Sequence, residues 1–173
     1  MIYTGKVWKF GDNISTDIIM PSSVTFTNGI SDKDASKYTM ISIRPDWAVQ
    51  VQKGDIIVAG KNFGCGSGRP APRMFKALGI SVVIANSTAR LFFRNSIHLG
   101  FPTIICQGVS QAFEEGDIAK VNVETGIVKN LTKNTTIQGE ALPKDSPPYQ
   151  IFMAGGIESF IKEELQKTKM AST

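Results

Sequence analysis

The sequence predicts an α/β fold, a parallel α/β core with an additional β-rich layer, and three observations carry that prediction. An apolar run ending at Ala59 breaks into a loop with four glycines within nine residues, Gly60 to Gly68, and Pro70 and Pro72 then open an amphipathic segment. Strand and helix patterns keep alternating as far as Cys106, the signature of parallel strands joined through helices. After Val109 the texture changes to short strands separated by turn signals.

Taken in order, Ile2 to Phe10 alternates enough to form a first strand, which Gly11-Asp12-Asn13 turns. Residues Ser22 to Tyr38 lack periodicity and read as a mobile loop with one helical turn after Ser31; Trp47 reads as a core or loop anchor. Pro72 to Leu78 supplies about two turns of helix, with prolines tolerated in its first turn and Gly79 placed to end it. Standing before Pro70, Arg69 is pushed toward extended backbone and lies outside that helix. Ser81 to Ala85 is a strand, Asn86 or Ser87 is placed to cap a helix running to Leu99, and Thr103 to Cys106 is the next strand. On that helix Ala89, Phe92, Phe93, Ile97 and Leu99 make a buried face, while Arg90 and Arg94 share another, which could meet an acidic partner, the substrate or solvent. Ala119 to Val123, Ile127 to Leu131 and Thr135 to Gly139 form the β-rich part, Pro143 to Pro148 reads as a linker, and Ile157 to Lys167 closes the chain as an amphipathic helix before a frayed end.

At 173 residues the chain, 1–173, reads as a single domain able to bury about two-thirds of its unfolded surface. Cys65 and Cys106 stand in unrelated contexts without a CxxC or a partner histidine, so neither a zinc site nor an iron–sulfur cluster can be built from this chain alone. Reduced thiols, the absence of a signal-like N-terminus and the lack of any bilayer-length apolar run give a soluble, cytoplasmic protein as the expectation. The formal charge of +4 comes from scattered lysines without interleaved aromatics, which speaks against nucleic acid and suits a small acidic substrate or an acidic protein.

The glycine loop is not a P-loop, since no Gly-Lys-Ser/Thr ends it, and Gly64, Gly66 and Gly68 do not fit a dinucleotide fingerprint. Read in order, Asn62-Phe63-Gly64-Cys65-Gly66-Ser67-Gly68-Arg69 resembles the Gly-x-Gly-Ser-Ser-Arg-Glu signature of the swivelling domain of the aconitase superfamily. Two further segments resemble that family: Asp12-Asn13-Ile14-Ser15-Thr16-Asp17-Ile18-Ile19-Met20-Pro21 near the N-terminus, and Ser87-Thr88-Ala89-Arg90-Leu91-Phe92-Phe93-Arg94-Asn95 after the loop. The length is that of the family's stand-alone small subunits.

The resemblance implies a swivelling β/β/α domain and a hydro-lyase reaction, the reversible dehydration and rehydration of a hydroxy acid. It implies no cofactor on this chain and a large-subunit partner, in a heterodimer or heterotetramer, whose [4Fe–4S] cluster acts as a Lewis acid. By position, Ser67 matches the family's catalytic base and Arg69 its substrate-binding arginine, while Asp17 would lie beside the loop, where a carboxylate can orient a serine or an arginine. Main-chain N–H groups of Gly64, Gly66 and Gly68, at the start of a helix, would face an anion. Two positions depart from the pattern: Gly68 stands for the family's second serine and Pro70 for its glutamate.

In this family the loop after Pro21 lies over the variable part of the substrate, which makes Val24, Thr25 and Phe26 the specificity residues. Val24, Phe26 and Ile30 are apolar and no cation occurs before Lys33, so a third carboxylate would be desolvated without compensation. The expected substrate is a malate-type dicarboxylic acid with an alkyl substituent, 3-isopropylmalate first and 2,3-dimethylmalate second, ahead of citrate or homoaconitate. The alternative of another class is a non-catalytic small-acid-binding regulatory paralogue.

Overall fold

The computed structural model describes residues 1–25 and 29–171, with the side chains of Thr25 and Ala171 outside the description. The strands are β1 (Ile2–Phe10), β2 (Ile56–Ala59), β3 (Val82–Ala85), β4 (Thr103–Ile105), β5 (Ile118–Asn122), β6 (Ile127–Asn130) and β7 (Thr135–Gln138). Helical segments are α1 (Thr16–Ile19), α2 (Ser22–Thr25), α3 (Asp32–Ser36), α4 (Trp47–Gln50), α5 (Ala71–Leu78), α6 (Arg90–His98), α7 (Val109–Ala112), α8 (Pro147–Met153) and α9 (Ile157–Ala171). The sheet has seven strands in the order β4-β3-β2-β1-β5-β6-β7.

The length of β1 joins the two halves predicted from the sequence. Val7 to Phe10 pair in parallel with β2, whereas Ile2 to Lys6 pair antiparallel with β5, so one nine-residue strand belongs to both ladders. The far end of β7 then returns to the other edge, where Glu140 N–H donates to the Ile105 carbonyl at 2.7 Å. The β-rich layer therefore curls over one face of the parallel strands. Period-2 alternation sends Val7, Ile56, Val58, Val82 and Ile84 into a core shared with Ala119, Val121, Val128 and Phe113. Their neighbours Trp8, Phe10, Ile57, Ala59, Val83 and Ala85 face Met74 and Phe75 of α5 and Phe92 of α6 on the opposite side. With both faces covered, β2 and β3 are apolar throughout rather than alternating.

Trp47 is the anchor expected of it, fully buried and edge-on to Phe10, Trp8 and Phe75 at ring separations of 5.3, 6.3 and 6.3 Å. Arg44 reinforces the same corner by stacking on Trp8 and forking onto Glu115, with one bond of 2.9 Å. The turn after Ser31 is present, capped by the Ser31 hydroxyl accepting from Asp34 N–H, while α2 adds a helical turn where no periodicity was legible and α4 adds another at Trp47.

Three expectations change. Neither Asn86 nor Ser87 caps α6: Asn86 Nδ2 donates to Ser110 and the Ser87 hydroxyl accepts from Asn62 N–H, so the helix starts two or three residues later, at Arg90, with Ala89 in the cap position. Residues 143–148 are only half a linker, because the Ser146 hydroxyl caps a helix that Pro147 opens. The last helix continues to Ala171, past the expected fraying point. Among the described residues no helix is long and apolar enough to cross a membrane.

Asp117 pins the start of β5. Its buried carboxylate accepts from Asn130 Nδ2 at 2.6 Å and from Glu114 N–H at 2.9 Å, with Lys133 Nζ 3.7 Å away. Burial pushes this carboxyl up, but the Glu114 and Asn130 bonds and the Lys133 charge outweigh it and hold the pKa below the ordinary value. A pKa lower in the folded than in the unfolded state stabilises the fold above the unfolded value of about 3.9 and ceases to do so as pH falls through the folded one. Asp117→Ala is expected to cost about 2–3 kcal/mol at neutral pH, and urea titrations from neutral to acidic pH should show its difference from wild type shrinking below about pH 4.

Candidate active site

The three segments that carry the family resemblance are far apart in sequence and interlaced in space, at the carboxyl ends of β1, β2 and β3. Asn13 N–H donates to the Lys61 carbonyl, Gly64 N–H to Ile14 and Thr16 N–H to Cys65, tying the loop after β1 to the glycine loop after β2 at 2.7–2.8 Å. On the other side Phe63 N–H donates to Ser87 at 3.0 Å and Ala89 N–H to Phe63 at 2.9 Å, which fastens the same loop to the start of α6. Parallel pairing of adjacent strands is what brings these ends together, and their carboxyl edge is where α/β sheets place ligand sites.

Two glycines are required by this lacing. Gly64 has φ +75° and packs where any Cβ would strike the Phe92 ring; Gly66 has φ +97°, and a Cβ there would lie 3.2 Å from Asp17 Oδ2. The Gly64 N–H is taken by Ile14, contrary to the expectation that it faces an anion. Among the described residues the N–H groups of Gly66, Ser67 and Gly68 take no part in this lacing and stay available to a ligand.

Ser67, Arg69 and Asp17 meet at one point. The Ser67 hydroxyl donates to Asp17 Oδ1 at 3.1 Å, and Arg69 Nη2 reaches the same oxygen at 3.0 Å. A second guanidinium nitrogen, Nη1, donates to the Met20 carbonyl at 2.6 Å, so Arg69 clamps α1 at both ends. Its side chain is mostly buried, whereas Ser67 and Asp17 are open to solvent. As expected, Arg69 lies outside α5, ahead of Pro70 in the cap position. The arrangement joins a nucleophilic oxygen, a carboxylate within proton-transfer distance and a guanidinium with donors left over, which can grip a second carboxylate.

One residue in this arrangement had no role assigned from the sequence. Thr16 is buried, and its hydroxyl donates to the Ser67 carbonyl at 2.8 Å while lying 3.5 Å from Ser67 Oγ. Its place before Asp17 in the N-terminal motif was the available signal. Of the residues expected to set specificity, Val24 is buried as part of the main core, so its side chain faces inward rather than toward a ligand. Phe26 and the Thr25 side chain lie outside the described residues. Among the described residues no cluster of histidine, cysteine, aspartate or glutamate could hold a metal ion. Cys65 sits in the glycine loop, whereas Cys106 lies in the opposite core with burial pushing its thiol up to about 11, so the two thiols do not fit an iron–sulfur cluster.

A family model described as the aconitase C-terminal domain matches residues 3–108, the span that contains all three interlaced segments. The chain belongs to the aconitase family. It is 43% identical over 170 residues to the isopropylmalate/citramalate isomerase small subunit of Methanocaldococcus jannaschii, covering 97% of this chain and 98% of the relative. The 3-isopropylmalate dehydratase small subunit of Heliobacterium modesticaldum is 42% identical, with 98% and 100% covered. A crystal structure of 3-isopropylmalate dehydratase (LeuD) from Methanocaldococcus jannaschii superposes with a TM-score of 0.90 at 35% identity, over 98% of this chain and 99% of that one. The fold class expected from the sequence, the parallel core and the β-rich layer included, agrees with that neighbour.

Proposed function

We propose that the chain is the small subunit of a two-subunit hydro-lyase, a 3-isopropylmalate dehydratase-type enzyme of leucine biosynthesis that acts in the cytoplasm once joined to its large subunit. The meeting of Ser67, Asp17 and Arg69 on adjacent loops, in a chain similar over its whole length to such small subunits, is the observation that supports this reading. Ser67 is the base that takes the proton from the carbon next to a substrate carboxylate. Its own proton lies along the bond to Asp17, which can receive it as Oγ accepts the new one, so a free alkoxide need not accumulate. Arg69 holds a substrate carboxylate through donors not used by Asp17 and Met20, and the N–H groups of Gly66 and Gly68 stabilise developing negative charge.

The Ser67 oxygen is open to solvent in this chain, and the site needs the large subunit to cover it. The [4Fe–4S] cluster implied by the family belongs to that subunit, in a heterodimer or heterotetramer. The alkyl-bearing dicarboxylate is 3-isopropylmalate, since residues 22–32 offer no cation to a third carboxylate. A smaller methylated malate is the second reading, favoured by the bare Gly68 beside the base and by the citramalate in the archaeal relative's name.

The decisive measurement is kcat/KM of the reconstituted enzyme for 3-isopropylmalate, citramalate, 2,3-dimethylmalate, citrate and homoaconitate. Alkyl homologues should differ by only about 10–200-fold, and the tricarboxylates should be rejected more strongly. Preference for a tricarboxylate would overturn the substrate assignment, and no turnover of any of the five would favour the regulatory paralogue.

A further inference from the structure

We infer that the exposed ridge of α6 bearing Arg90 and Arg94 is a docking strip for an acidic face of the large subunit, an inference that rests on the chain being a small subunit. Of the five arginines, Arg44, Arg69 and Arg73 each pair with a carboxylate: Glu115, Asp17 and Asp32. Arg90 and Arg94, both exposed, have no carboxylate partner among the described residues.

Their placement opposes the local physics of the helix. Arg90 is the first residue of α6, and the first turn carries no acidic residue, so a cation sits at the positive end of the helix dipole. Arg94 stands four residues on, where two like charges face one another on the same ridge. No side chain caps this end either. Each of these choices is unfavourable to the isolated helix, and such local violations collect where function demands them. An acidic partner would reverse the sign of both.

The ridge is continuous with the active site. Leu91, between the arginines in sequence and 46% exposed, places its Cδ2 3.3 Å from where a Cβ on Gly68 would stand. A partner that covers Ser67 and Gly68 therefore meets an exposed apolar side chain, Leu91, on the helix that carries the two arginines. An apolar contact flanked by unpaired cations is the composition of an interface margin, where charge sets approach and register.

The test compares the wild-type chain with the Arg90→Glu/Arg94→Glu variant for binding to the purified large subunit from the same source, at low and high ionic strength, with thermal unfolding of each chain alone. The expected result is a loss of affinity of roughly tenfold or more at low salt that shrinks as salt screens the charges, with an unchanged or higher Tm because glutamate suits the helix start. Wild-type-like affinity and salt dependence in the variant would overturn the docking strip while leaving the function standing. A fall in Tm that parallels the loss of affinity would overturn it too, by making the arginines structural. So would a raised substrate KM with the large subunit saturating, which would assign them to the substrate. If the wild-type chain itself failed to bind the large subunit, the functional reading would fall first and the strip with it.

Discussion

Ser67→Ala in the assembled enzyme is expected to lower kcat roughly 100- to 10,000-fold, the range that a positioned general base contributes, with KM changed little. The expectation follows from geometry, because Ser67 is the only hydroxyl on the loop and its proton already has an acceptor in Asp17 at 3.1 Å. In the proposed mechanism substrate binding rests on other groups. Ser67 is exposed and fills no core position, so the variant should unfold at the wild-type temperature and associate normally with the large subunit. Steady-state kinetics with binding measured separately makes the check, and wild-type turnover by Ser67→Ala would remove the proposed base.

Arg69→Lys should lower kcat/KM by roughly 30- to 100-fold, chiefly through KM, since an ammonium offers a point charge where the guanidinium offers a planar fork. This substitution tests more than substrate binding. Arg69 also holds the Met20 carbonyl at 2.6 Å and Asp17 at 3.0 Å, so its loss frees the carboxylate that orients Ser67. Part of the effect should accordingly appear in kcat. Asp17→Asn separates the two contributions, because it keeps the shape beside Ser67 but gives up the proton acceptor. It should reduce kcat with a smaller change in KM, and an effect confined to KM would assign Asp17 to substrate binding alone.

The sequence by itself determined the fold class and the order of the strands and of the helices α5, α6 and α9, because those follow from short-range rules. Period-2 alternation in β1, unbroken apolar runs in β2 and β3, prolines opening α5 and glycine ending it are local signals, and each led to the element observed. Ser67, Arg69 and Asp17 were legible for a different reason, since their motifs are contiguous and resemble a family pattern. The departures at Gly68 and Pro70 were visible in the same way.

Tertiary structure decided what depends on competition between distant partners. Asn86 and Ser87 are good caps by residue type, yet Ser110 and Asn62 take their side chains, so α6 begins at Arg90. Gly64 was as plausible an anion donor as Gly66 until Ile14 claimed its N–H. Thr16 and Met20 lie inside the N-terminal motif, but that they touch Ser67 and Arg69 follows only from the parallel pairing of β1 with β2, which sets their loop against the glycine loop. Val24 is apolar, as a substrate wall or a core residue would be, and only its burial in the main core distinguishes the two. Hydrophobic pattern tells a residue to leave water, whereas the neighbour it leaves water for is fixed by the three-dimensional fold.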